Sequence, residues 1–176
     1  MLAYIFVVFA VAMRFLPHPW QFTPVAASLL FFGARASKRY IWLPFALLAV
    51  SDLILNKYVY AYSFGADQFV IWAWYAAILW LGTGLRERQK PVPIIGAALA
   101  SSISFYVITN FMVWATGSMY PRTWAGLVTC YDAAVPFFRH TLEGDLLFTT
   151  AMFATPVVLH ALSGVIAKES DHTAAV

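Results

Sequence analysis

The sequence predicts an all-α integral membrane protein of six transmembrane helices, and three observations predict it. First, the 176 residues are 62% hydrophobic and only 11% charged. An average soluble domain is roughly 45–50% apolar and about 25% charged, so a globule of this composition would lack the polar surface that water demands. Second, the apolar residues fall into six runs. Third, the basic residues collect in short clusters between alternate runs. The composition excludes a soluble enzyme, a nucleic-acid-binding domain and a disordered regulator, and the single cysteine excludes a disulfide scaffold. The formal charge of +3 fits a protein whose basic loops lie on one membrane face, and it does not point to nucleic acid.

A spanning helix needs roughly 20 mostly apolar residues. The first run extends from Met1 to about Leu16, and the second, which is short, from Phe22 to Ala34. The third covers Tyr40 to about Leu55, the fourth Gln68 to Leu85, the fifth Val92 to about Thr116, and the sixth Thr141 to about Ala167. All are apolar on every side, which favours helices over the alternating strands of a barrel. Pro17, Pro19 and Pro24 separate the first two runs, because proline does not continue a helix interior. Ser63-Phe64-Gly65 marks a loop before the fourth run, and Gly82, Gly84, Pro91 and Pro93 divide the fourth from the fifth. Neither repeat nor linker interrupts the chain, so residues 1–176 read as one transmembrane domain. Ala10-Val11-Ala12 resembles a signal-peptidase site, but no basic residue precedes it, so an uncleaved first span is expected.

Loop charge orients the bundle. With the N-terminus cytoplasmic, one face carries Arg35, Lys38, Arg39, Arg86, Arg88, Lys90 and Lys168, and the other carries Arg14, Lys57, Arg122 and Arg139. The compact majority on one side follows the positive-inside rule and places both termini in the cytoplasm. Between Arg122 and Phe138, the residues Trp124, Leu127, Val128, Tyr131, Val135 and Phe138 recur at helical spacing. They predict an amphipathic helix in the last outer loop.

Polar groups at membrane depth are costly and therefore informative. They gather toward the outer face: Arg14 after the first run, Ser51, Asp52 and Asn56 on the third, and Asn110 on the fifth. Arg122, Asp132, Arg139, His140, Glu143 and Asp145 lie in the last outer loop or at the start of the sixth run. Asp52 reads either as an ion pair with Arg14 or Arg139 that locks helices, or as a ligand contact. Thr141, Glu143 and Asp145 read as caps of the sixth helix, where carboxylates suit the helix dipole. Asn110 reads as a helix–helix hydrogen bond or a ligand contact. His18, with His140 and nearby carboxylates, has the chemistry of a transition-metal site but no tight motif. Cys130 reads as a small buried hydrophobe or as a soft ligand to a metal centre presented from outside. Trp20 and Trp124 stand near the expected outward cavity.

The stretches RFLPHPWQFTPVAA, LLAVSDLIL and ITNFMVWATGSMYPRTWAGLVTCYDAAVPFFRHTLEGDLLFT resemble an uncharacterised family of small bacterial integral membrane proteins. More distantly, the chain is similar to the substrate-binding S components of energy-coupling factor (ECF) vitamin transporters. FTPVAASLLFFGA is similar to their early helix, and PFFRHTLEGDLLFTTAMFA, with Gly144 and Asp145, to the start of their last helix. That resemblance implies six helices, cytoplasmic termini and an outward-facing cavity for a vitamin or metal. It also implies an ECF coupling module as partner. S components often dock that module through alanine-x-x-x-alanine on the first helix. Here Ala3, Ala10 and Ala12 have other spacings, and the nearest small-residue run is Gly96, Ala97, Ala100 and Ser101. A solitary member, like the small cobalamin transporters of this fold, therefore stays open.

The expectation is a solute-binding transport subunit in a bacterial inner membrane, taking up a small molecule from the periplasmic side. The ligand-binding candidates are Arg14, His18, Trp20, Asp52, Asn110, Arg122, Cys130, Arg139, His140 and Asp145, with no cofactor identified. The alternatives are an accessory subunit of a membrane complex, or a metal-dependent membrane enzyme in which His140, Glu143 and Asp145 converge.

Overall fold

A computed structural model of the protein describes residues 1–17, 21–61 and 64–174, with side chains through Gly164. Helices make up 81% of it, and no strand occurs among the described residues. The elements are α1 (Leu2–Met13), α2 (Val25–Arg35), a 3-10 turn at Lys38–Tyr40, α3 (Trp42–Tyr58), α4 (Ala66–Thr83), α5 (Pro91–Thr116) and α6 (Trp124–Ala174). Three stretches are long and apolar enough to cross a membrane: Lys38–Tyr58, Pro91–Thr116 and Trp124–Gly164. These apolar helices point to a membrane protein.

The centre of the molecule is α2, which packs on α1, α4, α5 and α6. Every residue from Val25 to Ala34 is buried. Small residues make this possible, because neighbouring backbones can come close to a helix with little side chain. At the crossing of α2 and α4, a Cβ on Gly33 would overlap the Leu79 carbonyl, and one on Gly82 would sit 2.5 Å from the Leu30 carbonyl. Phe31 and Phe32 fill the remaining space, making edge-on ring contacts with Phe6, Phe153 and Tyr4.

The 11 residues of α2 rise only about 16 Å, roughly half of a hydrocarbon core. The 12 residues of α1 are similarly short. The second apolar run is thus a half-length helix sheathed by protein. A helix with no lipid-facing side need not match bilayer thickness. Phe22, shortly before α2, accordingly lies at mid-bundle. There a Cβ on Gly144 would meet the Phe22 ring at 3.3 Å, beside the contact of Asp145 with Ser102 near the middle of α5.

One end of the bundle is basic. Arg86 donates from Nε to the Gly33 carbonyl at 3.0 Å and from Nη2 to the Ala36 carbonyl at 2.8 Å. It satisfies carbonyls that a helix C-terminus leaves open, where a cation is also favoured by the dipole.

The segment expected to form the last outer loop takes a different form. The amphipathic segment and the sixth run are one continuous helix, α6, of 51 residues with Pro136 and Pro156 inside it. The residues expected to cap a new helix do not cap. Thr141 donates its hydroxyl to the Phe137 carbonyl at 3.1 Å, one turn back along the same helix. No glycine or loop residue intervenes at Arg139-His140 to stop the ladder. The first turns of α6 lie antiparallel along the end of α5, with Tyr106 Oη donating to the Tyr131 carbonyl at 2.8 Å and Tyr131 Oη to the Val107 carbonyl at 2.7 Å.

Candidate functional site

The polar centre of the molecule is Asp52, on the buried face of α3. Among the described residues, four side chains donate to its carboxylate. Arg14, just beyond α1, forms an ion pair with Oδ1, and Tyr75 Oη donates to the same oxygen at 3.3 Å. Gln68 Nε2 and Trp72 Nε1 each donate to Oδ2 at 2.9 Å. A further layer holds these groups in place. Arg14 also donates to Ser51 Oγ and, at 3.4 Å, to the Leu48 carbonyl, while Asn56 Nδ2 donates to Gln68 Oε1 at 2.8 Å. Helices α1, α3 and α4 thus meet on one carboxylate, away from the basic end of the bundle.

Such convergence is what a buried charge requires, since unpaired it would cost several kcal/mol or neutralise. Bonds to an ionised acceptor are also stronger than neutral ones. The local sequence explains the placement. Gln68, Trp72 and Tyr75 stand at i, i+4 and i+7 of α4, so one face of that helix presents all three donors.

Asp145 is the second buried carboxylate. It lies on α6 at 3% exposure, with Oδ2 in hydrogen-bond contact with Ser102 Oγ at 2.6 Å. Thr149, one turn later on the same face, is buried, and its hydroxyl has no partner among the described residues.

The remaining candidates are scattered. Asn110 turns its amide back onto the Tyr106 carbonyl of its own helix at 2.8 Å, and the buried Cys130 thiol contacts the Asn110 carbonyl at 3.5 Å. Cys130 therefore faces α5. Arg122 and Trp124 are exposed. Arg139 and His140 are also exposed, and with Pro136 and Glu143 they line a groove of about 220 Å³ on α6. Asp145 turns away from them into the bundle, so the convergence of His140, Glu143 and Asp145 is not formed. No group of three His, Cys, Asp or Glu residues is placed to hold a metal among the described residues. His18 and Trp20 lie outside the described residues.

Of the two expected partners of Asp52, the structure selects Arg14, with Arg139 remote on the exposed face of α6. Sequence reasoning missed Gln68, Trp72, Tyr75, Ser102 and Thr149. The α4 donors carried a legible signal in their i, i+4, i+7 spacing. Ser102 and Thr149 carried none, because hydroxyls are common in apolar helices, where they bond their own backbone.

A family model described as a family of unknown function (DUF6580) matches residues 1–165. No curated protein and no solved structure matches the chain.

Proposed function

The chain belongs to this family of unknown function, and we propose that it is a membrane solute-binding subunit for uptake of a small molecule, vitamin-like or metal-containing. In this reading it has six membrane-associated segments with both termini cytoplasmic, in a fold of the S-component type. It resides in a bacterial inner membrane and meets its solute on the periplasmic side. One observation carries the reading: a buried arginine–carboxylate centre built from three helices, at the end of the bundle opposite its basic clusters. An ionisable group at membrane depth is by default a functional candidate.

The chemistry would be exchange. Arg14 offers a guanidinium fork suited to a carboxylate or phosphate. A solute bearing such a group replaces Asp52 at Arg14, and Trp72 and Tyr75 supply aromatic surface beside it. A coupling module would find small exposed residues on α5 at Gly96 and Ala100, whereas Ala97 and Ser101 of the same run are buried.

The test is native mass spectrometry of the purified protein, together with a thermal-shift screen of vitamins and metal complexes. The expected outcome is a bound mass or a stabilised transition that disappears in Arg14→Ala. Silence in both assays would sink the proposal.

A second reading, an accessory subunit of a membrane complex, is favoured by the saturation of Asp52: Arg14, Gln68, Trp72 and Tyr75 already satisfy it, as helix glue requires. It predicts that mild-detergent extraction yields a stoichiometric assembly, and that the isolated chain shifts with no solute.

A further inference from the structure

Asp145 lies between its own helix and α5, next to the approach of Phe22 and Thr23 to Gly144, and among the described residues the charged groups on α5, α2, α1 and α6 are placed elsewhere. No Asp, Glu, Lys, Arg or His occurs on α5. Its Tyr106 hydroxyl is committed to the Tyr131 carbonyl. On α2 the one charged residue is Arg35, at the opposite end of that helix. α1 carries Tyr4, which packs on Phe32, and ends before Arg14, which is paired with Asp52. On α6 the neighbours Asp132, Arg139, His140 and Glu143 are exposed. Among the described residues Asp145 has no ion pair.

Hydrogen counting bears on its state. Ser102 Oγ is 2.6 Å from Asp145 Oδ2 and 3.2 Å from the Ala98 carbonyl. A serine hydroxyl has one proton to give, and a carbonyl only accepts. With the Ser102 proton on the Ala98 carbonyl, the 2.6 Å contact holds only if Asp145 supplies a proton. The opposite arrangement leaves a full negative charge on one neutral hydroxyl in apolar surroundings, where a carboxyl group neutralises instead. Thr149, one turn along the same face, has a buried hydroxyl with no partner among the described residues, and a carboxyl oxygen turned toward it would accept its proton. In this structure it makes no such bond.

We propose that Asp145, Ser102 and Thr149 form an internal proton-binding site, with Asp145 held as the neutral acid that donates from Oδ2 to Ser102 Oγ. Release is a plain proton transfer. The Asp145 O–H bond breaks, a water entering between α5 and α6 takes the proton, and the carboxylate left behind is held by the Ser102 and Thr149 hydroxyls. The site does not depend on the solute-binding reading.

The experiment is infrared spectroscopy of the full chain in lipid vesicles at neutral pH, in H2O and D2O. It reads the C=O stretch of a protonated carboxyl group, which an ionised carboxylate lacks. The expected result is such a band in the wild-type protein, lost in Asp145→Asn and retained in Asp52→Asn. A wild-type spectrum without the band, or a band that survives in Asp145→Asn, overturns the proposal. Ser102→Ala keeps the acid and removes its acceptor, so the band moves to higher frequency. An unmoved band in that variant also overturns the proposal, and this arm stands even where Asp145→Asn does not fold.

Discussion

Asp52 and Asp145 are buried to the same degree, at 4% and 3% exposure, yet their surroundings differ in kind. Asp52 has a guanidinium, an amide, an indole and a phenol donating to it. Among the described residues, Asp145 has a single serine hydroxyl and an unpartnered threonine one turn away. Burial alone therefore does not set the state of a carboxyl group. The donors around it do: a counter-cation with several N–H and O–H groups can hold a charge in low dielectric, and a lone hydroxyl cannot. One region is built to keep an ion, the other to keep a neutral acid.

Substitutions at both sites test that contrast. The largest effect is expected from Arg14→Ala, which strands the Asp52 charge and should cost about 3–5 kcal/mol, read by chemical unfolding in detergent. Adding Asp52→Ala should recover part of the loss, and a strictly additive double variant would show that the pair is not coupled. Ser102→Ala comes next. It leaves Asp145 without its hydrogen-bond partner, at a cost of roughly 1–3 kcal/mol; thermal unfolding indistinguishable from wild type would mean that the contact contributes nothing.

Trp72→Phe removes one donor while Arg14, Gln68 and Tyr75 remain, so a loss of about 1 kcal/mol is expected. A loss as large as that of Arg14→Ala would make the indole, rather than the ion pair, the main support of Asp52. The smallest effect is expected from Asp145→Asn. An amide replacing a neutral acid of the same shape should change stability by less than about 1 kcal/mol, whereas Asp52→Asn destroys an ion pair and belongs with the largest losses. Comparable losses for the two asparagine variants, measured side by side, would erase the distinction between the sites.

Much of the architecture was legible in the chain. The fifth apolar run, from Val92, coincides with α5 to within a residue, because Pro91 and Pro93 open it and Gly117 closes it. The third and fourth runs match α3 and α4 within about three residues. The α6 boundary was misread, because Thr141 and Glu143 have the composition of a helix start although the backbone ladder runs through them. At the polar centre, Asp52 and Arg14 stood out as charges within apolar surroundings. Gln68, Trp72 and Tyr75 did not stand out singly, because they carry no charge; only their i, i+4, i+7 spacing on α4 marks them as one face.

The sequence by itself determined the class: too few charges for a water-soluble surface, apolar runs of helical length, and basic clusters that mark one end. These are local properties, carried by composition and by spacing within a single helix. Only the tertiary structure decided that α2 is a half-length helix enclosed by its neighbours, that Asp52 takes Arg14 rather than Arg139, and that Ser102 meets Asp145. Arg14 and Asp52 are 38 positions apart, and Ser102 and Asp145 are 43 apart. The physical reason is that such pairs follow from which helix faces pack together. That choice is made by the small residues and rings at the crossings of α2, not by any pattern along a single segment.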